Sequence, residues 1–281
     1  MNAERKRMGI AIARKALMYL LLLLIALLFV GPFLWLLSTA FKSNAQDVFT
    51  FPPDLIPKPP VWDQFVEALT VIPFPKYLLN SFILIVVMVP AHLFLTSLTA
   101  YPLARMTFPG RDLIFYAIIG TMFFPEEGKL VPLFIITQKL GLIDSWWGLI
   151  IPGLVGGFSI FLMRQAYLSI PKELEEAAIL DGCGPFRMWW SIMLPLTKPT
   201  LAALSVFSFI SVWNSFIWPL IVLKNDDLYP LALGLAYLSG TFGDDVRVMA
   251  AGTVVSLLPI IVFYLMMQRY FVSGMQGAIK G

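Results

Sequence analysis

Six long apolar runs constrain this chain more than any other feature of it. They cover roughly Ala16–Ala40, Tyr77–Tyr101, Asp112–Thr137, Trp146–Ala166, Leu196–Leu223 and Val248–Phe271. A helix crosses a hydrocarbon core with about 20 apolar residues, and its backbone polar groups must be satisfied internally there. Only 13% of the 281 residues are charged and 59% are hydrophobic, where soluble domains carry about a quarter charged. These runs imply an all-α integral membrane protein with about six transmembrane helices. Five runs read as unbroken helices. The third is divided by Pro125-Glu126-Glu127-Gly128-Lys129, which implies either a bend toward an aqueous cavity or an end near the outer surface.

Basic residues set the orientation. With the N-terminus inside, inner segments hold Arg5, Lys6, Arg7, Arg14, Lys15, Arg105, Arg111, Arg164, Lys172, Arg187, Lys198, Arg269 and Lys280, thirteen of the 20 basic residues. This is the positive-inside bias, and it places the N-terminus and C-terminus in the cytoplasm. The run after the basic start ends in Ser38-Thr39-Ala40, but it is longer than the ~7–15 apolar residues of a signal peptide. It is read as a retained first span. Residues 1–15 then form a cytoplasmic N-terminal segment, 16–40 the first transmembrane helix, 41–76 an extracytoplasmic segment and 77–281 one membrane domain. A second outer loop, 224–247, carries Asp226, Asp227, Asp244 and Asp245.

Several kinds of chemistry lack the residues they need. The one cysteine, Cys183, excludes an internal disulfide and a cysteine-rich metal site. The one histidine, His92, lies in an apolar run, as a packed or pathway-facing group. No H-E-x-x-H or G-x-S-x-G occurs, so the chain is not read as an enzyme. It also has no G-x-x-x-x-G-K-[ST], so any ATP and Mg would be bound by a partner. A secondary transporter or channel subunit remains the alternative. Such a protein is expected to carry coupling charges inside its spans, often with internal symmetry, and only the Glu126–Lys129 break resembles that.

The segment from Glu173 to Pro195 is an acidic interruption between the fourth and fifth runs, on the cytoplasmic side. Ser169 stands near a cap position, Pro171 near the first turn, and Glu173, Glu175 and Glu176 suit a helix N-terminal half. Leu174, Ala177, Ala178 and Asp181 share one side, where the two alanines permit close approach. Gly182 ends that helix. A second helix follows with Phe186, Trp189, Trp190 and Met193 as its apolar stripe, and Pro195 stops or kinks it. A hairpin seating tryptophans at the headgroups would explain the stripe. The exposed acids point instead to a basic protein partner.

Two other groups invite a pathway reading. Asn214 lies deep in the fifth run beside Trp213, Phe216 and Trp218, where aromatics suit the apolar face of a sugar ring. Helix–helix packing explains the same residues equally well. Glu126, Glu127 and Lys129 form either an outer gate or an interfacial turn. Pro90, Pro152 and Pro259 are tolerated in spanning helices and usually reflect packing.

Glu176-Ala177-Ala178, Gly182 after three intervening residues, and Ile192-Met193-Leu194-Pro195 after nine more intervening residues resemble the EAA loop of binding-protein-dependent ABC importer permeases. Trp213 to Pro219, Leu140 to Ser145, the Ser169-Ile-Pro-Lys-Glu lead and the ending from Gln268 to Gly281 resemble the MalG-like carbohydrate branch. The resemblance covers most of the chain from about residue 78. It implies a MetI/MalG-like permease fold in 77–281, with a cytoplasmic coupling loop at 169–195. It implies a second, MalF-like permease, an ATPase dimer and an extracytoplasmic sugar-binding protein as partners, with membrane lipid around the spans and no nucleic acid. The site would be the inner membrane of a bacterial or archaeal cell. The coupling set would be Glu175, Glu176, Ala177, Ala178, Asp181, Gly182, Ile192, Leu194 and Pro195, with Glu176 pairing with an ATPase arginine.

Overall fold

The computed structural model describes the backbone of residues 2–241 and 245–279, and the side chains of 12, 14–238 and 245–268. Asp244, Lys280 and Gly281 lie outside the described residues, as do the side chains of Arg5, Lys6, Arg7 and the terminal motif from Arg269 onward. Among the described residues all regular elements are helices. The chain forms two compact units, Met1–Ile72 with Leu238–Ser256, and Pro73–Tyr237 with Leu257–Gly281.

In the first unit, α1 (Asn2–Ala40) runs without a break through the basic start and the first apolar run. Its apolar window contains no buried residue. The chain then loops away and returns. Val61 N–H donates to the Phe41 carbonyl at 2.9 Å, and Phe41 packs on Trp62 and Phe65 with ring centroids 4.8 and 4.9 Å apart. The segment 41–76 thus contains a helix, α2 (Asp63–Val71). Arg247 fastens its early part, donating to the Gln46 carbonyl at 2.8 Å and pairing with Asp245 at 3.2 Å.

The second unit is built on α3 (Phe74–Arg105), which packs along two other helices. Its elements continue as α4 (Arg111–Gly120), α5 (Glu126–Lys139), α6 (Trp146–Gly153) and α7 (Gly157–Leu168). They are followed by α8 (Lys172–Leu180), α9 (Pro185–Leu196), α10 (Lys198–Trp213) and α11 (Ile217–Val222). The helices packed on α3 are α7 and α10. The remaining helices, α12 (Leu231–Thr241) and α13 (Val246–Ile279), contain the points at which the chain divides into its units. Part of the expected 224–247 loop is therefore helical, as the apolar sequence Leu231-Ala-Leu-Gly-Leu allows.

Two runs that read as unbroken, the fourth and fifth, are broken in the structure, and the third breaks earlier than expected. Three described helices are each long and apolar enough to cross a membrane, or up to five segments if bent pairs count as single spans. The third run is two helices joined by a 3₁₀ turn at Thr121–Phe123. The break precedes Glu126, so Glu126 to Lys129 form the first turn of α5 rather than the interruption itself. The fourth run bends by 40° between α6 and α7. The fifth unwinds at residues 214–216, between α10 and α11. The break at 154–156 is apolar in composition and the Asn214-Ser215 step is flanked by long apolar stretches, so a hydropathy scan averages over both.

Candidate functional site

The acidic interruption folds as two helices around a glycine. Pro171, extended at φ −56°, precedes α8 without a side-chain cap. Ser169 lies at the end of α7, where its hydroxyl donates to the Ala166 carbonyl at 2.8 Å; it is not the cap expected for α8. At the other end, Gly182 N–H donates to the Ile179 carbonyl and Cys183 N–H to the Ala178 carbonyl, both at 2.9 Å. This is the Schellman pattern, which requires a left-handed residue just past the helix. Gly182 supplies it with φ +75°.

Burial separates residues that look alike in sequence. Ala178 is 8% exposed and belongs to the chain's own core, whereas Ala177 and Glu176 face outward. The two alanines therefore do not share a docking face. The outward face of α8 carries Glu173, Glu176, Ala177 and Leu180, spaced i, i+3, i+4 and i+7. Glu175 turns inward and pairs with Arg105 of α3 at 3.4 Å. Asp181, the C-cap of α8, is exposed.

In α9, Trp189 and Met193 are buried while Phe186 and Trp190 are exposed, so the expected stripe is split. Met188 completes the buried side. Helix α9 contains a π turn at Trp189–Met193 and continues through Pro195 to Leu196. Proline cannot donate to the preceding turn, and the wider turn accommodates that loss. Ile192 and Leu194 pack against the core, and the exposed Pro195 lies one turn from the 79° bend into α10.

The same unit holds a cleft of about 830 Å³, lined by residues of α3, α5, α6, α7, α10 and α11. Ser208, Ser211 and Ser215 are among its polar lining residues, on the α10–α11 side. Among the four aromatic and amide residues expected on the pathway, Trp218 lines the cleft. Trp213 is buried against Phe82 and Phe209, and Asn214 and Phe216 are exposed at the break between α10 and α11. Glu126 and Lys129 also line it, joined at 2.7 Å, whereas Glu127 does not.

His92 bridges the break between α6 and α7. A carbonyl only accepts, so its Nδ1–H donates to the Leu154 carbonyl at 3.1 Å. In that neutral tautomer Nε2 accepts from the Ser159 hydroxyl at 2.9 Å. Arg105 and His92 were not among the sequence-selected site residues. A lone intramembrane histidine and an arginine closing a span are weak signals until their partners are known.

Outside the spans, Asp144 ties two loops together. Its carboxylate accepts from Asn225 N–H at 2.8 Å and Lys224 N–H at 2.9 Å. These two donors hold its pKa below the ordinary carboxylate value.

Residues 71–277 match the family described as binding-protein-dependent transport system inner membrane component. The chain is 37% identical over 207 residues to the arabinooligosaccharides transport system permease protein AraQ of Bacillus subtilis, covering 73% of this chain and 74% of that one. It is 34% identical over 271 residues to the sn-glycerol-3-phosphate transport system permease protein UgpE of Yersinia pestis, covering 93% and 96%. Among solved structures, a bacterial ABC transporter involved in import of the acidic polysaccharide alginate superposes with a TM-score of 0.79 at 28% identity, covering 90% of this chain and 94% of that one.

Proposed function

Because this chain belongs to the family of binding-protein-dependent transport system inner membrane components, we propose that it is the transmembrane permease subunit of an ATP-driven sugar importer. It works in the inner membrane beside a second permease, with an ATPase pair on the cytoplasmic face and a sugar-binding protein on the other. The relatives that are similar over most of the chain handle arabino-oligosaccharides and sn-glycerol-3-phosphate, which supports a sugar or sugar-derived substrate. The chain itself supplies membrane helices, part of the pathway and a docking helix. ATP hydrolysis belongs to the partner.

The observation that carries the docking role is the geometry of α8. Its acidic outer face is exposed, its inner face is pinned to the core, and the left-handed Gly182 fixes where it ends. Glu176 is the residue placed for a charge-assisted contact with a basic group of the ATPase. The second sequence block, Ile192, Leu194 and Pro195, sets the path from α9 into α10. Trp218, Ser211 and Ser215 are assigned to the pathway, with the Glu126–Lys129 pair at one border of the cleft.

Glu176→Lys should leave the protein inserted in the membrane and strip the ATPase from it. Detergent co-purification of the tagged permease measures this directly, with sugar uptake measured in parallel. Normal retention of the ATPase together with normal uptake would refute the docking assignment.

A further inference from the structure

We propose that Arg105 is the positioning residue that locks α8 to the spanning helices, so that a pull on α8 is delivered to α3 and α7 together. Arg105 is the last residue of α3, and its side chain is only 4% exposed. Its guanidinium ties α3 to two other elements. One terminal nitrogen lies 3.4 Å from the Glu175 carboxylate of α8. The other donates to the carbonyls of Tyr167, in the last turn of α7, and Ile170, just beyond it.

Each contact has a physical reason. The last carbonyls of a helix lack partners within it and favour a nearby cation. A buried arginine needs a counter-charge, and Glu175 provides one from the inner face of α8. Arginine's planar fork serves carbonyls and a carboxylate at once, which the single ammonium of lysine cannot do with the same geometry. Glu175 and Glu176 therefore divide the work: one grips the permease and the other faces the partner.

The tie reaches the cleft through two stiff helices. Arg164 of α7 donates to the Leu103 carbonyl of α3 at 3.0 Å and stacks over Phe115 of α4 at 3.9 Å. Farther along the same pair, His92 of α3 and Ser159 of α7 are bonded at 2.9 Å, and both line the cleft. Displacement of α8 thus reaches the cleft-lining residues through helices that are cross-tied at both levels.

This link matters because α8 is the helix proposed to meet the ATPase, and the test separates the two ideas. The complete importer, with both permeases, the ATPase pair and its binding protein, is reconstituted in proteoliposomes, and sugar uptake per ATP hydrolysed is measured. Arg105→Gln and Glu175→Gln should each keep the ATPase bound and hydrolysing while uptake per ATP falls about fivefold or more, the lower range of coupling between sites. The double variant should be no worse than either single one, and Arg105→Lys should recover part of the loss. Glu175→Gln keeps the size and hydrogen-bonding capacity of the side chain, so it remains informative if loss of the arginine lowers membrane yield. Unchanged uptake per ATP in Glu175→Gln, strictly additive losses, or detachment of the ATPase from either single variant would overturn the link. Glu176→Lys serves as the control in the same assay: if it alone retains the ATPase with normal uptake, the docking reading fails instead.

Discussion

Glu175 and Glu176 differ by one position, and on a helix one position is about 100° of rotation. That rotation turns two identical side chains into a half-buried anchor and an exposed contact. Gly182 makes a comparable distinction through the backbone. A Cβ placed there would meet no atom within 4 Å, so the site has room for a side chain. Its φ of +75° is the obstacle, since a left-handed conformation costs an L-residue roughly 1–2 kcal/mol. Gly182→Ala should therefore loosen the turn between α8 and α9 by strain alone and weaken ATPase retention. Gly182→Asn should be milder, because asparagine enters the left-handed region more readily. Comparing the two variants by co-purification tests this, and equal retention in both at the wild-type level would mean that the turn does not set the docking geometry.

At the scale of elements, the broken helices follow from prolines that hydropathy treats as neutral. Pro152 has no N–H to offer the carbonyl of Gly148, four residues earlier. Trp218 of α11 fills that place, its indole N–H donating to Gly148 O at 3.0 Å. Trp218→Phe keeps an aromatic ring, though a smaller one, and removes the donor, leaving a buried carbonyl unpaired at a cost of about 1–3 kcal/mol. Thermal unfolding of the purified permease should show the loss, and transport should drop because the same ring lines the cleft. An unchanged melting temperature would assign the carbonyl another partner. The apolar runs, the acidic helix between the fourth and fifth of them and the glycine stop were legible in the sequence because each is a local signal. The breaks at 154–156 and 214–216 were hidden, although Pro152 and the glycines at 153, 156 and 157 were visible clues. The Arg105–Glu175 pair could not be read, since it depends on α3 and α8 meeting across a long stretch of chain. For the same reason the sequence grouped Trp213 to Trp218 together, whereas the break between α10 and α11 sends those side chains to different surroundings.

At the scale of the whole molecule, the charge of the cleft bears on what this permease admits. Among the described residues, Glu126 and Lys129 are the acidic and basic side chains lining it, and they are paired with each other. The remaining polar lining includes the hydroxyls of Ser208, Ser211 and Ser215 and the tryptophan Trp218. Hydroxyls exchange hydrogen bonds with sugar hydroxyls, and an indole face accepts the apolar side of a ring; neither compensates a phosphate or carboxylate. On the proposed assignment of this cleft to the pathway, its lining suits an uncharged saccharide. Uptake of labelled neutral oligosaccharides should depend on the gene when strains with and without it are compared, while uptake of glycerol phosphate and uronates should not. Glu126→Gln removes the counter-charge of Lys129, and an exposed pair of this kind is worth up to about 1 kcal/mol, or about fivefold. The variant should shift the ratio of anionic to neutral uptake upward within that range. Gene-dependent uptake of sugar phosphates as strong as that of neutral sugars would show that the charge balance of this cleft has no part in selection.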